Sequence, residues 1–363
     1  GIVNVINSIF TNSRGTTCGG AIYIDVGSIT VIGSTFTNTS TTNNYSSLYG
    51  GGAIYTNRGN VTVTNSDFIN TTSYCGGAIY TNMGNVTVTN SDFINTVATD
   101  SGGAIYTGRG NVIVIGSTFT NTSTNIYASS YVGGAIYTNM GNVTVIGSNF
   151  TNTTSSNGGA IYIYSGSFAV INSSFTNSRG TRGSGGAIYT YRGNVTVIGS
   201  TFTNTSTTNS YSSSYGGAIY TGRGNVIVIG SNFTNTKSYF GGGGAISINS
   251  GGNCAVTNSN FTNNKAQYGA GGVILIDFKS NVELINCNFV NNSAEGNGGA
   301  IKVSSGSNLT IENCDFNNNN AYKRYDGYKN TYGGAIEGFN NTKIIAINSN
   351  FTNNSAGYGG AIR

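Results

Sequence analysis

The sequence predicts an all-β fold, a parallel β-helix of about 13 coils with three short strands in each coil. Two observations predict this solenoid. The dipeptide Gly-Gly precedes a small residue and then Ile thirteen times, from Gly19 to Gly359. Each of the first twelve pairs is followed 17 or 18 residues later by Phe, whereas the distance from that Phe to the next Gly-Gly varies from 8 to 17 residues. An arm of fixed length is typical of packed structure, and an arm of variable length is typical of surface loops.

One coil, residues 76–101, contains the three predicted strands GGAIYT, NVTVTN and SDFIN. Alternation of side chains along a strand predicts that Ile79, Val86, Val88 and Phe93 point inward. The neighbouring Tyr80 is predicted to point outward, because later coils have charged residues at its slot. At about 4.8 Å per coil, such a stack is expected to form a rod roughly 60 Å long.

Two slots in each coil predict turns. The first slot holds Asn or Gly, the residues that most readily adopt positive φ, in all thirteen coils: Asn7, Gly33, Asn65, Asn90, Gly116, Gly147, Asn172, Gly199, Gly230, Asn258, Asn286, Asn313 and Asn348. The second slot, two residues after each repeat Phe, is always Asn. We interpret it as an inward, hydrogen-bonded structural ladder: Asn12, Asn38, Asn70, Asn95, Asn121, Asn152, Asn177, Asn204, Asn235, Asn263, Asn291, Asn318 and Asn353.

The repeat predicts a single β-helix domain over residues 1–363, with highly regular coils at 1–236 and more divergent coils at 237–363. Long polar loops follow Phe36, Phe119 and Phe202, so every third coil is expected to extend a loop on one side. Neither end has the polar cap that a solenoid needs, which suggests a piece or subunit of a larger assembly.

Composition excludes two classes of partner. Only 7% of residues are charged and the net charge is +5, so the chain lacks the concentrated basic stripe that binds nucleic acid. It also lacks the run of about 20 apolar residues that a membrane helix needs, so we expect no membrane insertion by this segment.

Catalytic chemistry has little support in the sequence. The chain has no His. Asp67 and Asp92 share an outward slot in adjacent coils, and carboxylates about 5 Å apart suit glycoside hydrolysis or a calcium site. The alternative is two polar residues in a slot that elsewhere holds Thr, Asn or Ser, and no Lys or Arg completes a lyase-like cluster. We predict no catalytic residue, no metal site and no cofactor.

The five cysteines show no metal-ligand spacing. Cys287 and Cys314 directly follow the first turn slot in consecutive coils, where the other coils have a Ser that we predict to point inward. A Cα separation of about 5 Å would permit a disulfide between them. Two small buried thiols that replace Ser are equally consistent with the pattern.

The predicted contact surface is a column of outward tyrosines. Stacked rings would stabilise the sheet, and they would also offer a flat strip for glycans or proteins: Tyr23, Tyr55, Tyr80, Tyr106, Tyr137, Tyr162, Tyr189 and Tyr220. A second outward column mixes Thr with Ile and suggests lateral packing against another chain: Ile32, Thr64, Thr89, Ile115, Ile146, Ile198 and Ile229.

The pairing of GGAI with a Phe-x-x-Asn motif resembles the passenger domains of the chlamydial polymorphic membrane proteins. It is also similar to the Asn/Thr-rich adhesin-like surface proteins of methanogenic archaea. The last third carries the motif best, at 261–264, 289–292 and 351–354. The resemblance implies a right-handed parallel β-helix and an extracellular adhesin.

We therefore expect a non-catalytic extracellular or cell-surface protein, an adhesin or a structural rod. Its expected partners are host or cell-surface glycans and proteins, or further copies of itself. One alternative is a filament-forming subunit that stacks end to end through uncapped coils, and another is a β-helix polysaccharide lyase or hydrolase. Sequons such as Asn38, Asn60, Asn121 and Asn152 permit glycosylation of a secreted chain.

Overall fold

A computed structural model describes residues 1–42, 50–125, 132–208, 214–304, 306–323 and 330–363. The chain forms two compact units, Gly1–Thr181 with Ile188–Thr190 (unit 1) and Arg182–Ala187 with Tyr191–Arg363 (unit 2). Within each unit the described strands pair in parallel as four sheets, so the predicted parallel β-solenoid is confirmed. Most coils have four strands instead of the predicted three. The long loops predicted after Phe36, Phe119 and Phe202 lie largely outside the described residues.

Unit 1 has four sheets, numbered in the chain order of their strands. Sheet 1 contains Ile2–Ile6, Ser28–Ile32, Val61–Thr64, Val86–Thr89, Val112–Ile115, Val143–Ile146 and Phe168–Ile171. Sheet 2 contains Ile9–Thr11, Thr35–Thr37, Asp67–Ile69, Asp92–Ile94, Thr118–Thr120, Asn149–Thr151 and Ser174–Thr176. Sheet 3 contains Arg14–Gly15, Ser40–Thr41, Thr72–Ser73, Val97–Ala98, Ser123–Thr124, Thr154–Ser155 and Arg179–Gly180. Sheet 4 contains Ile22–Val26, Ile54–Arg58, Ile79–Met83, Ile105–Arg109, Ile136–Met140 and Ile161–Ser165.

Unit 2 repeats this arrangement. Its sheet 1 contains Val195–Ile198, Val226–Ile229, Cys254–Thr257, Asn281–Ile285, Asn308–Glu312 and Lys343–Ile347. Its sheet 2 contains Thr201–Thr203, Asn232–Thr234, Asn260–Thr262, Asn288–Val290, Asp315–Asn317 and Asn350–Thr352. Its sheet 3 contains Ser206–Thr207, Lys237–Ser238, Lys265–Ala266, Ser293–Ala294 and Asn320–Ala321. Its sheet 4 contains Ile219–Thr221, Ile246–Ile248, Ile274–Ile276, Ile301–Ser304 and Ile336–Phe339, and the strand Ile188–Arg192 is divided between the units. Among the described strands of sheet 1, the seven of unit 1 and the six of unit 2 match the predicted thirteen coils.

The core of each unit is built around a column of stacked Phe rings. Register pairs Phe68 with Phe93 and Phe93 with Phe119, and the ring centroids lie 4.8 and 4.7 Å apart. These side chains are fully buried, as are the inward Ile and Val residues of the neighbouring strands. Each such side chain stabilises the fold by about 1.5–3 kcal/mol.

The first turn slot forms the predicted left-handed bend. All thirteen of its Asn and Gly residues have φ between 47° and 58°. The next residue is the inward Ser, and it connects coils: the Ser66 amide donates to Oγ of Ser91 at 3.1 Å, and the Ser66 hydroxyl donates to the Thr64 carbonyl at 2.8 Å. The bend therefore brings a buried hydroxyl onto the backbone of the adjacent coil.

The Gly-Gly pair is required by close approach of the backbone. Gly76 has a φ of 60°, which side chains rarely allow. A Cβ at Gly77 would overlap the carbonyl oxygen of Gly103 in the next coil. Any larger residue here would push two coils apart.

Candidate contact surface

The tyrosine column forms, and its rings stack along sheet 4. Within unit 1, ring centroids of neighbouring coils lie 4.7–5.6 Å apart, from Tyr23 to Tyr189. This geometry matches the cross-strand pairing that the sequence predicted.

The column is not the exposed strip that alternation predicted. Tyr23 is 57% exposed, whereas the other seven tyrosines are buried or half-buried. At Tyr55 and Tyr80 the covering residues come from the variable arm just before a Gly-Gly pair: Cys75 joins the two rings in one buried cluster, and Tyr74 packs against it. Any contact through these rings stays a prediction, and among the described tyrosines of the column it is best placed at Tyr23.

Burial also changes the acidity of these phenols. It raises the pKa of Tyr80, Tyr106 and Tyr137, and it raises the pKa of Tyr220 to about 12. Burial disfavours the charged phenolate, so these rings stay neutral over the physiological range.

The asparagine ladder forms but lies on the outside. Its amides are joined from coil to coil by Nδ2–H···Oδ1 bonds of 3.0–3.2 Å, which link the ladder from Asn12 to Asn177 and join Asn235 to Asn204. Each ladder Asn has a φ near 55° and is exposed, which corrects the predicted inward position. The left-handed residue turns the chain, so the residue after it points inward. The amide of sequon residue Asn38 is therefore exposed.

The inward residue after each ladder Asn was missed by sequence reasoning. It is Thr or Ser in the earlier coils and Asn in the later ones, and from residue 39 to residue 319 it is 0% exposed. Asn264 shows its role: Oδ1 of Asn292 accepts from the Asn264 backbone N–H at 2.9 Å and from its Nδ2 at 3.0 Å. The second Asn of the Phe-x-x-Asn motif lies at this slot, so the motif could have predicted the inward position.

The two carboxylates predicted to be adjacent are paired in register. Asp67 lies beside Asp92 in sheet 2 of unit 1, and Asp92 accepts a hydrogen bond from Thr118 of the next strand. Partial burial and, second, the charge of Asp92 raise the pKa of Asp67. Among the described residues no group of three or more His, Cys, Asp or Glu side chains could hold a metal ion.

Cys287 and Cys314 occupy consecutive inward slots, as predicted, and both are free thiols. The Cys287 amide donates to Sγ of Cys314 at 3.3 Å, replacing the Ser hydroxyl of other coils. The Cys287 thiol donates to the Ile285 carbonyl and the Cys314 thiol to the Glu312 carbonyl, each at 3.2 Å. The interaction with the neighbouring thiol raises the pKa of Cys287 and lowers that of Cys314.

The outer face of sheet 1 is the most apolar predicted surface. Ile113 and Ile115 on one strand of unit 1, and Ile227 and Ile229 on one strand of unit 2, are 38–41% exposed. Of the predicted column, Ile32, Ile115 and Ile229 are exposed, and Ile146 and Ile198 are half-buried with Thr64 and Thr89. No helix in the described part of the chain is long and apolar enough to cross a membrane.

A family model described as "Right handed beta helix region" matches residues 204–362, which lie within unit 2 and make up less than half of the chain. Together with the four parallel sheets, this similarity supports a right-handed β-helix repeat protein. No curated protein and no solved structure matches the chain significantly. The resemblance to chlamydial and archaeal surface proteins stays a prediction.

Proposed function

We propose that this protein is a non-catalytic, extracellular or cell-surface β-helix that acts as an adhesin-like or structural rod. The outer face of sheet 1 carries the proposal. Large exposed apolar side chains occur there on one strand of each unit, at Ile113, Ile115, Ile227 and Ile229. Exposed apolar side chains that cluster on one face of a soluble protein mark contact surfaces. The partner is a second copy of the chain or a component of another cell surface.

Polar side chains elsewhere on the outside support a structural role. The exposed Asn ladder uses its amides for bonds between neighbouring coils, as between Asn70 and Asn95. Such a ladder stiffens a solenoid, because each coil contacts only its neighbours.

The lyase or hydrolase alternative is not favoured. Asp67 and Asp92 form a register pair on a flat strand surface, and Asp92 is engaged by Thr118. No observation on the described residues favours the end-to-end filament over lateral contact.

The test replaces the four isoleucines by Thr, the residue that the same two slots hold at Thr87 and Thr89. Protein-coated microspheres are applied to cultured cells, and self-association is followed by sedimentation velocity. Loss of adhesion or self-association in the variant, with the melting temperature retained, supports the proposal. Wild-type protein that neither adheres nor associates, or that releases reducing ends from polysaccharides, overturns it.

A further inference from the structure

Unit 2 carries a cluster of basic and aromatic side chains around two neighbouring strands of sheet 3. Lys237 and Lys265 begin the strands Lys237–Ser238 and Lys265–Ala266, and register pairs them directly. They are the first two lysines of the chain. Three rings follow these strands and contact one another. We call the surface formed by these side chains the aromatic–lysine patch: Lys237, Tyr239, Phe240, Lys265 and Tyr268.

The three rings of the patch form one continuous aromatic surface. Their centroids lie 5.2–5.6 Å apart, and their planes cross at 32–68°, whereas the rings of the Phe column in the same unit lie nearly parallel. Phe240 is 42% exposed, and Tyr239 and Tyr268 are half-buried. The rings therefore offer an apolar platform to a molecule outside the solenoid.

Tyr268 holds its ring in this cluster with a strained backbone. Its φ is 70°, a conformation that is unfavourable for a bulky side chain. Among the described residues other than Gly, all those with positive φ are Asn except Tyr268, Phe278 and Lys279. Asn or Gly would make this turn with less strain, so the turn itself does not explain the tyrosine. Such strain is typical of residues that serve a ligand.

The charges of the patch are also arranged at a cost. Lys237 and Lys265 are like charges in direct register, which destabilises a sheet. Nζ of Lys265 lies 3.3 Å from Oε1 of Glu295, and the Tyr322 hydroxyl donates to the same oxygen at 3.2 Å. The Glu295 side chain is 4% exposed, so its carboxylate is part of the folded framework. Two ammonium groups and one carboxylate leave one net positive charge beside the rings.

These properties together select a ligand. An anion would relieve the repulsion between the two lysines, and Nζ of Lys237 lies over the Tyr239 ring, 5.8 Å from its centroid. A ligand that satisfies both features carries its negative charge next to an apolar face. One net charge suits a single carboxylate, because a polyanion needs cations along its whole length. A sugar carboxylate has this combination, since its ring presents an apolar C–H face.

An extended peptide is disfavoured at this place. Both strands have neighbours on either side in sheet 3, and the amides of Lys237 and Lys265 donate to carbonyls of the preceding coil at 2.9 Å. Peptides that bind sheets by strand addition need a free edge with unpaired backbone groups. Recognition at the patch therefore depends on side chains.

We propose that the aromatic–lysine patch binds a glycan that carries a carboxylated sugar. The carboxylate lies against Lys237 and Lys265, and the C–H face of the sugar packs on Phe240 and Tyr268. The proposal rests on the proposed contact function and adds to it a ligand class and a site.

Two variants remove the charge and the ring without touching the core. Lys237→Ser is compatible with the fold, because Ser206 is paired with Lys237 in the same register. Phe240→Ala removes the most exposed ring of the patch. The matched controls are Lys343→Ser and Phe339→Ala, which remove an exposed lysine from sheet 1 and an exposed Phe from sheet 4 of the same unit.

The test measures binding of sialyllactose and digalacturonate to the full chain by calorimetry and saturation-transfer NMR. Lactose and the dimethyl ester of digalacturonate are neutral counterparts, and acetyl-tetraglutamate amide is the acidic peptide comparison. At least one acidic sugar is expected to bind about 10-fold or more tightly than its neutral counterpart. Lys237→Ser and Phe240→Ala should each weaken this binding by about 10-fold, and the matched controls should keep it within about 2-fold. Lys237→Arg keeps the charge and should retain binding, and melting temperatures show that each variant is folded.

The proposal is overturned if neither acidic sugar binds at millimolar concentration, or if the neutral sugars or the peptide bind equally well. Binding that Lys237→Ser or Phe240→Ala leaves unchanged also overturns it. These results separate the patch from the proposed function. If adhesion depends on the sheet 1 isoleucines while no acidic sugar binds, the contact function stands and the patch assignment fails.

Discussion

The inward slot three residues after each repeat Phe differs between the two units. In unit 1 it holds Thr or Ser, and Oγ1 of Thr39, Thr71, Thr96 and Thr122 has no partner within the described structure. In the later coils of unit 2 it holds Asn264, Asn292 and Asn319, whose amides bond to one another. The same position in the same fold is therefore filled in two physically different ways.

An Asn at this slot has every polar atom of its side chain hydrogen-bonded, as Asn264 shows. Nδ2 of Asn264 donates to the Phe233 carbonyl and to Oδ1 of Asn292, both at 3.0 Å. Its Oδ1 accepts from the Thr236 amide at 2.9 Å and the Thr236 hydroxyl at 2.6 Å. The coils that start at Gly243 also lengthen the arm to Phe from 17 to 18 residues. At this slot, most coils of unit 1 keep a buried hydroxyl without a partner, whereas the later coils of unit 2 are joined by buried side-chain hydrogen bonds.

The largest loss of stability is expected from Asn292→Ala in unit 2. It removes the partner of the Asn264 amide and side chain and of the Phe261 carbonyl. Leaving such buried groups unpaired should lower the free energy of unfolding by about 3–5 kcal/mol in urea titrations. Asn291→Gly is the control, since Gly keeps the φ of 55° and should cost less than about 1 kcal/mol. Equal losses in the two variants would contradict the buried ladder.

Transplanting the ladder should stabilise unit 1. In the triple variant Thr71→Asn, Thr96→Asn and Thr122→Asn, stacked amides replace hydroxyls that have no partner. We expect the free energy of unfolding to rise by about 1–2 kcal/mol, measured by the same titrations. A fall of similar size would mean that the 17-residue arm cannot seat the amide.

Removing a single buried hydroxyl should raise stability in unit 1 and lower it in unit 2. Thr96→Val deletes a buried group without a partner and should raise stability by up to about 1 kcal/mol. Thr236→Val deletes the donor to Asn264 and should lower it by about 1 kcal/mol. Melting temperatures of the two variants check the comparison, which fails if both shifts have the same sign.

Cys287→Ser and Cys314→Ser should change stability by less than about 1 kcal/mol, because Ser fills the same ladder slot elsewhere. The burial of both thiols predicts that neither reacts with an aromatic disulfide reagent until the protein unfolds. Rapid labelling of the native protein, followed by mass spectrometry, would show that this part of unit 2 opens.

The smallest change in stability is expected at the pair Asp67 and Asp92. The raised pKa of Asp67 means that the folded chain holds its proton more tightly than the unfolded chain. Wild type should therefore gain stability as pH falls through that raised pKa. Asp67→Asn should be slightly more stable than wild type at pH 7, and the difference should disappear below the ordinary pKa of Asp. Asp315→Asn is the control, since Asp315 accepts from Asn350 and has no carboxylate beside it.

Period and spacing predicted the fold, the Phe column and the left-handed bends, because these features repeat at fixed intervals. Alternation failed at two places for identifiable reasons. Counting inward and outward residues across Asn95 fails because its positive φ turns the chain, so Thr96 points inward. The cover over Tyr80 comes from the variable arm, where Cys75 lies, and a variable arm has no period to read.

The most direct test of the difference between the units is residue-resolved amide hydrogen exchange of the full chain. The amides of Asn264 and Asn292 each donate to a buried Asn side chain in the next coil, and the Asn319 amide donates to the half-buried Asn354. They should exchange more slowly than the amides of Thr71, Thr96 and Thr122 in the equivalent slot of unit 1. Equal or faster exchange at the three Asn amides would contradict the account that buried side-chain hydrogen bonds fasten the coils of unit 2.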